Sequence, residues 1–423
     1  MGGEVEKYFW IVITKAFLVT IFLFCTVKSA SASGYAVFTQ GASALGQGNA
    51  VIAHGDGPSA VFFNPAQINA LEGTQIELGA TLIFASREFE SDATGKTFDA
   101  DTTSYPSTFY ATHRFNDRIC AGLGVFNPFG LRNNWGNNWE GRYITTDSDL
   151  TTFNVNPVVS FQLTPALSMA AGVDVLIMDA TLKKNLRLTP LPDAKQKFDG
   201  DGTGVGFNVG LLYHLTKDIA FGAAYRSEVK VDLDGKATFD LPQGTPPQIA
   251  GLLQDTKGHS TITLPAQVFA GISYQGFSRL TLEAGLRWEG WSSFDQLKID
   301  LEGPLPSSVT ERDWNDVFSF NIGAKYRLNE RCSLLAGYLY GNTPVPDKTF
   351  DPTIPDSDTH VFTLGTEIKF DKFNFALSYA YQHFEDRDKN NQIPSDAQLA
   401  IDRANGTYKT DLNLVAASLA YRF

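Results

Sequence analysis

The chain is poor in cysteine, in long apolar runs and in catalytic motifs, and each shortage excludes something. Among 423 residues there are 3 cysteines. Cys25 sits in an N-terminal apolar stretch behind Phe24, a poor context for lipidation, and Cys120 and Cys332 cannot build a redox or zinc framework. Beyond the N-terminus no segment is apolar enough for a spanning helix, because the charged residues, 19% of the total, are spread evenly. Basic residues are outnumbered, 34 Lys and Arg against 46 Asp and Glu, and the net charge of −12 argues against a nucleic-acid partner. There is no His-Glu-x-x-His, no Gly-x-Ser-x-Gly and no phosphate-cradling loop, since the glycines of 200–206 lead into a strand. Asp386-Arg387-Asp388-Lys389-Asn390 is similar to a calcium loop but lacks the required glycine and terminal glutamate. No catalytic residue, cofactor or metal is expected, and 6 scattered histidines are the only opening left for an enzyme.

What the chain does have is alternation. In 280–288, Leu280, Leu282, Ala284, Leu286 and Trp288 face one way while Thr281, Glu283, Gly285 and Arg287 face the other. Successive strand side chains point to opposite faces, so such a segment suits lipid on one side and a hydrated or ligand-filled lumen on the other. The pattern predicts strands near 75–84, 108–115, 119–126, 151–161, 167–177, 205–213, 219–226, 264–274, 280–288, 318–326, 333–340, 361–370, 373–381 and 412–423. Their connections alternate between short turns and long loops rich in Gly, Pro, Asp and Asn. The expected fold is all-β, a transmembrane antiparallel β-barrel of about fourteen strands over 74–423 with periplasmic turns and extracellular loops. Aromatic residues, 32 Phe, 15 Tyr and 6 Trp, gather at strand ends such as Tyr326 and Tyr421, where interfacial girdles belong. A soluble multi-blade β protein would share the aromatic content but not the loop asymmetry.

The N-terminus sets the address. Lys7 and Lys15 precede the apolar run Ala16–Val27, and Ser29-Ala30-Ser31-Ala32 offers a cleavage site, so 1–32 reads as a signal peptide. A retained anchor helix is the alternative. Residues 33–73 then form a Gly- and Ala-rich segment without strict alternation, too apolar for a free tail, and of the size of a small hatch plugging a barrel. The C-terminal Tyr421-Arg422-Phe423 matches the terminal aromatic signal read by outer-membrane assembly machinery.

Several blocks, in order, resemble the FadL/TodX (OMPP1) family of outer-membrane transporters of long-chain fatty acids and other hydrophobic compounds. They are Gly41–Ala50, Asn64-Pro65-Ala66, Phe126–Leu131 with Trp139–Tyr143, Tyr225–Lys230, Leu264-Pro265-Ala266, Trp291–Phe294, Thr343–Pro346 and Ile354-Pro355-Asp356. The resemblance implies a ligand caught between extracellular loops, held in an internal apolar pocket and released sideways through the barrel wall beside the hatch. It also implies the outer membrane as location, lipid, lipopolysaccharide and the assembly machinery as partners, and a monomer.

Residue expectations follow from it. Asn64, Pro65 and Ala66 shape the hatch beside the wall opening, and Tyr35 resembles an aromatic tucked into the pocket, with a possible added polar contact from its hydroxyl. Phe129, Leu131 and Trp135 form one capture wall; Ile249, Leu252 and Leu253, on one face of a short helix, form another. Lys183, Lys184, Arg187, Arg287 and Lys298 are candidates to bind a carboxylate head group. Without such a contact, neutral aromatic or aliphatic hydrocarbons become the better substrates. A general porin or a surface-adhesion barrel would need no apolar plug or pocket.

Overall fold

The computed structural model describes residues 34–55 and 57–423, so the segment read as a signal peptide lies outside the described residues. Fourteen long strands run up and down: β1 Thr74–Ser91, β2 Ser107–Arg114, β3 Ile119–Phe126, β4 Asp147–Thr164, β5 Leu167–Leu186, β6 Ala194–His214, β7 Ile219–Arg226, β8 Gln267–Tyr274, β9 Leu280–Glu289, β10 Val317–Arg327, β11 Cys332–Gly341, β12 Thr359–Phe370, β13 Phe373–Lys389 and β14 Gly406–Arg422. Each pairs antiparallel with the next, and β14 returns to β1 in a register running from Gln75↔Arg422 to Ser91↔Gly406. The sheet therefore has no free edge, the condition for a sheet in lipid, where no water can satisfy an unpaired strand.

The faces are reversed relative to a soluble protein. Leu78 is 58% exposed and Phe362 55%, whereas Asp174 and Glu283 point inward and are 5% and 3% exposed. Large apolar side chains left outside with carboxylates buried inside are stable only against hydrocarbon. Short turns close one end through local side-chain bonds. The Asn116 Oδ1 accepts from the Arg118 and Ile119 amides at 2.9 and 3.0 Å, and Asn329 repeats this with Arg331 and Cys332. Exposed Phe115, Tyr213, Phe277, Tyr326 and Phe370 cluster at this end as an aromatic girdle.

At the other end the strands outrun the membrane. β5 and β6 have 20 and 21 residues, about twice the nine to eleven that a tilted strand needs to cross. Additional ladders, Val229–Asp240 with Thr256–Leu264 and Gln296–Leu301 with Ser308–Glu311, continue the wall upward. Buried ion pairs lock the loops over the lumen. Arg312 Nη1 lies 2.6 Å from Asp351 Oδ2, and Arg187 Nη2 lies 2.5 Å from Asp402 Oδ1.

Residues 34–73 lie within the barrel and are mostly buried. They contain two short helices, α1 Ala42–Gly46 and α2 Ala60–Phe63, and a 3-10 turn, Pro65–Ala70. Glycines let the wall approach this segment's backbone: a Cβ at Gly222 would sit 1.9 Å from the Ile52 oxygen, and one at Gly337 2.2 Å from the Gly48 nitrogen. Inward charges then hold it. Glu283 on β9 accepts from the amides of Ile52 and Ala53 and from His54 Nδ1, the last at 2.7 Å. Arg226 on β7 donates to the Val61 and Phe62 oxygens at 3.1 and 3.0 Å while pairing with Asp174 at 2.6 Å.

Candidate functional site

The wall is interrupted where the sequence puts Asn127-Pro128-Phe129 just past β3. Proline cannot donate to a ladder, so pairing must stop or be replaced there. The β2–β3 ladder ends at Phe109↔Val125. Above it, Thr102–Ser104 pairs only with β1, and Gly130–Asn134 pairs only with β4. Between these two pieces the Asn127 side chain stands in for a ladder, accepting from the Ser107 amide at 3.0 Å and donating to the Thr152 oxygen. Higher up, Thr102 Oγ1 donates to the Arg132 oxygen at 3.2 Å. The N-terminal segment covers the interruption from inside: Val37 N donates to Pro128 O and Gly130 N to Tyr35 O, both at 2.9 Å.

A cavity of about 440 Å³ occupies this place. Phe38, Ile83, Leu339, Leu412 and Leu414 line it within the lumen, and Tyr105, Leu131 and Phe153 line it where it reaches the outer face. Tyr105 and Phe153 are exposed on that face, so the cavity runs from lumen to wall exterior along the strand gap. Such a chamber suits an apolar molecule, for which burial is worth about 0.8 kcal/mol per methylene.

Of the residues expected at a site, Tyr35, Phe129, Leu131 and Arg287 line the cavity. Tyr35 is packed edge-on to Trp291, Phe129 and Phe294, with ring centroids at 4.7, 6.1 and 6.0 Å. Burial raises its hydroxyl pKa, opposed by the charge of Arg312. The added polar contact expected of a tyrosine is not made: its hydroxyl has no hydrogen-bond partner among the described residues. Arg287 is not available to a head group, because Glu289 pairs with it and the Phe269 ring lies beneath it.

The other expected residues lie away from the cavity. Asn64, Pro65 and Ala66 do not border the gap. They dock on β6, where Asn64 Nδ2 donates to the Leu211 oxygen at 3.0 Å and Pro65 abuts Gly210. Trp135 is stacked on Trp139 at 4.7 Å and donates to the Pro352 oxygen, inside the loop cap and away from the cavity. Ile249 and Leu252 lie in a helix, α3 Pro247–Leu252, capped by Leu253; the helix has no buried residue, and Leu252 is 49% exposed. Lys183 pairs with Asp147 at 3.3 Å and Lys298 with Asp300 at 2.9 Å, both half exposed at the loop end. Lys184 lines a separate polar hollow with Lys195 and Lys197, and Arg187 is held by Asp402. None of these four lines the cavity, which is bounded by β1 and β4 and lies on the other side of β4 from β5.

Sequence reasoning missed Arg87. It ended β1 at 84, yet Ile83, Ala85, Arg87 and Phe89 continue the inward alternation, and the first three line the cavity.

A closed barrel with an apolar exterior, inward carboxylates and an occupied lumen defines an integral protein of a Gram-negative-type outer membrane. A family model described as Outer membrane protein transport protein (OMPP1/FadL/TodX) matches residues 23–423, and the chain belongs to that family. The long-chain fatty acid transport protein of Salmonella typhi is 25% identical over 354 residues, covering 76% of this chain and 80% of that protein. Outer membrane protein P1 of Haemophilus influenzae is 24% identical over 452 residues, covering 93% and 96%. In fold, a FadL homologue of Pseudomonas aeruginosa superposes with a TM-score of 0.82 at 21% identity, over 92% of this chain and 100% of that one. The toluene transporter TodX of P. putida superposes at 0.71 and 19% identity, over 90% and 98%. The chain is an outer-membrane transport protein.

Proposed function

We propose that the protein carries hydrophobic molecules, long-chain fatty acids in the first place, across the outer membrane without a continuous aqueous pore. The observation that carries this reading is the cavity that begins among Leu339, Leu412 and Leu414 inside the lumen and ends beside Tyr105 and Phe153 outside the wall. A ligand enters between the loops, rests in the cavity against Tyr35 and Phe129, and leaves sideways through the gap above the β2–β3 ladder, between Thr102–Ser104 and Gly130–Asn134. Residues 34–73 act as the hatch that denies water a straight path. Lipid and lipopolysaccharide surround the exterior, the assembly machinery reads the terminal Phe423, and a single chain suffices. The curated relatives named for fatty acids support the acid as cargo. A solved neighbour named for toluene supports the second reading, a channel for neutral hydrocarbons.

The test has two parts. Calorimetric titration of the detergent-purified protein with oleate and with toluene should show saturable binding of at least one. Gly130→Phe should then depress both binding and uptake by cells, because a Cβ at Gly130 meets Val37 Cγ2 at 3.4 Å and a larger side chain must enter the cavity. Wild-type-like uptake by a folded Gly130→Phe variant would show that the cargo takes another route.

A further inference from the structure

Independently of the cargo route, we propose that the outer face of the wall carries a docking site for the phosphorylated core saccharide of lipopolysaccharide, in the polar hollow at the loop end of β4, β5 and β6. The hollow has a volume of about 350 Å³, and Asp147, Lys183, Asn185, Lys195, Lys197 and Thr238 are among its lining residues. Cross-strand register sets these six on one face: Asp147↔Lys183↔Lys197↔Thr238 form one row and Asn185↔Lys195 the next. By alternation it is the face that carries the lipid-exposed Ile177 on β5 and Val205 on β6. Lys183 is six residues beyond Ile177, about 20 Å along the strand and about 15 Å higher at the tilt of such barrels. The site therefore faces the surroundings of the barrel above the acyl chains, where the sugars of the outer leaflet stand.

Two features fit that partner. Asn185 is 6% exposed, yet its Oδ1 has no hydrogen-bond partner among the described residues. A buried acceptor left open beside a hollow calls for a donor from a ligand, and a sugar hydroxyl is one. Lys183 and Lys197 stand directly opposite each other, an arrangement that repels unless an anion lies between them. Their counter-charges sit to the sides: Asp147 is 3.3 Å from Lys183 and Asp199 is 2.5 Å from Lys197, while Lys195 comes only within 3.8 Å of Asp240. Such partly exposed pairs are weak, so the ammonium groups can turn to a phosphate at little cost. Lys184, beside them, is drawn to Asp396 instead. Asn134, Asn137 and Gln196 add amides that pair with hydroxyls in either direction. No lining residue carries a large apolar side chain, so a fatty cargo has no foothold here.

Rough lipopolysaccharide that carries the inner core, and the same material dephosphorylated, are titrated into the protein refolded in detergent free of endogenous lipopolysaccharide. Retention of the compact unheated band on gel electrophoresis certifies each variant as folded. Wild type should bind the phosphorylated form at least about fivefold more tightly than the dephosphorylated one, and Lys195→Gln with Lys197→Gln should erase that preference. Asn185→Ala should weaken both forms alike. Lys298→Gln with Lys348→Gln, which removes two lysines paired with Asp300 and Asp313 elsewhere, should bind as wild type does. If Asn185→Ala does not fold, the lysine pair carries the test. Equal affinity of wild type for the two forms, or equal losses in the two lysine pairs, overturns the proposal, because surface charge in general is then all that is sensed. Wild-type binding by a folded Asn185→Ala overturns the saccharide assignment. Displacement of the lipopolysaccharide by inorganic phosphate at equal concentration marks a free-anion site and overturns it as well.

Discussion

Glu283→Gln should release the middle of the N-terminal segment while leaving the barrel standing. The Glu283 carboxylate receives three donors, the Ile52 and Ala53 amides and the His54 ring, and it is fully buried among them. Glutamine keeps the shape but replaces one oxygen with an NH₂ group, so in either orientation at least one amide donor faces another donor. Losing a bond to a charged acceptor costs about 1.5–3 kcal/mol, and stranding the buried donor costs about 1–3 more. A total near 4 kcal/mol shifts the local open-to-closed ratio by roughly three decades. Amide hydrogen exchange in micelles, followed by mass spectrometry over residues 48–55, reads this directly. Exchange there should accelerate by at least about a hundredfold with the strands unaffected, and a change of less than about threefold would refute the reasoning.

Other substitutions probe other joints. Gly222→Ala places a methyl against the Ile52 oxygen, and since backbone must move, steady conductance in planar bilayers should rise above the low wild-type level; an unchanged trace would show that the segment reseats freely. Arg312→Met strands Asp351, which is 1% exposed, at a cost of about 3–5 kcal/mol. Proteolysis of the 342–358 loop should quicken, and Arg312→Met with Asp351→Leu should recover much of the loss. Deleting Phe423, whose amide donates to the Thr74 oxygen at 3.0 Å, should lower the fraction of heat-modifiable protein in membranes, and full insertion would count against a terminal recognition signal.

The parts of the fold that lipid touches were legible, and those above it were not. Inside the bilayer Met169, Val173 and Ile177 alternate with Ala170, Asp174 and Leu176, so the register of β5 could be read directly. Past Ile177 the outward positions become Asp179, Thr181 and Lys183, the apolar face disappears, and the strand was ended nine residues early. The same change of solvent hid the upper parts of β4, β6, β13 and β14. Within the site, the apolar side chains beside the proline break were found because Phe129 and Leu131 belong to a recognisable block. The lysines misled because basic residues following a strand give no sign of which face they occupy. Arg87 was hidden by a strand end drawn too low, although its alternation with Ala85 and Phe89 carried the signal.

The stretch from Tyr35 to Val37 is both the inner cover of the cavity and a hydrogen-bonding partner of the wall, through Ala36↔Phe129 and the flanking amides. On the proposed route, loading and unloading would be coupled in one mechanical element. A ligand large enough to push this stretch aside would also break the bonds that finish the wall, so filling the chamber would weaken its own side door. Selectivity and release then cannot be tuned independently: a stiffer stretch would grip cargo better and deliver it more slowly.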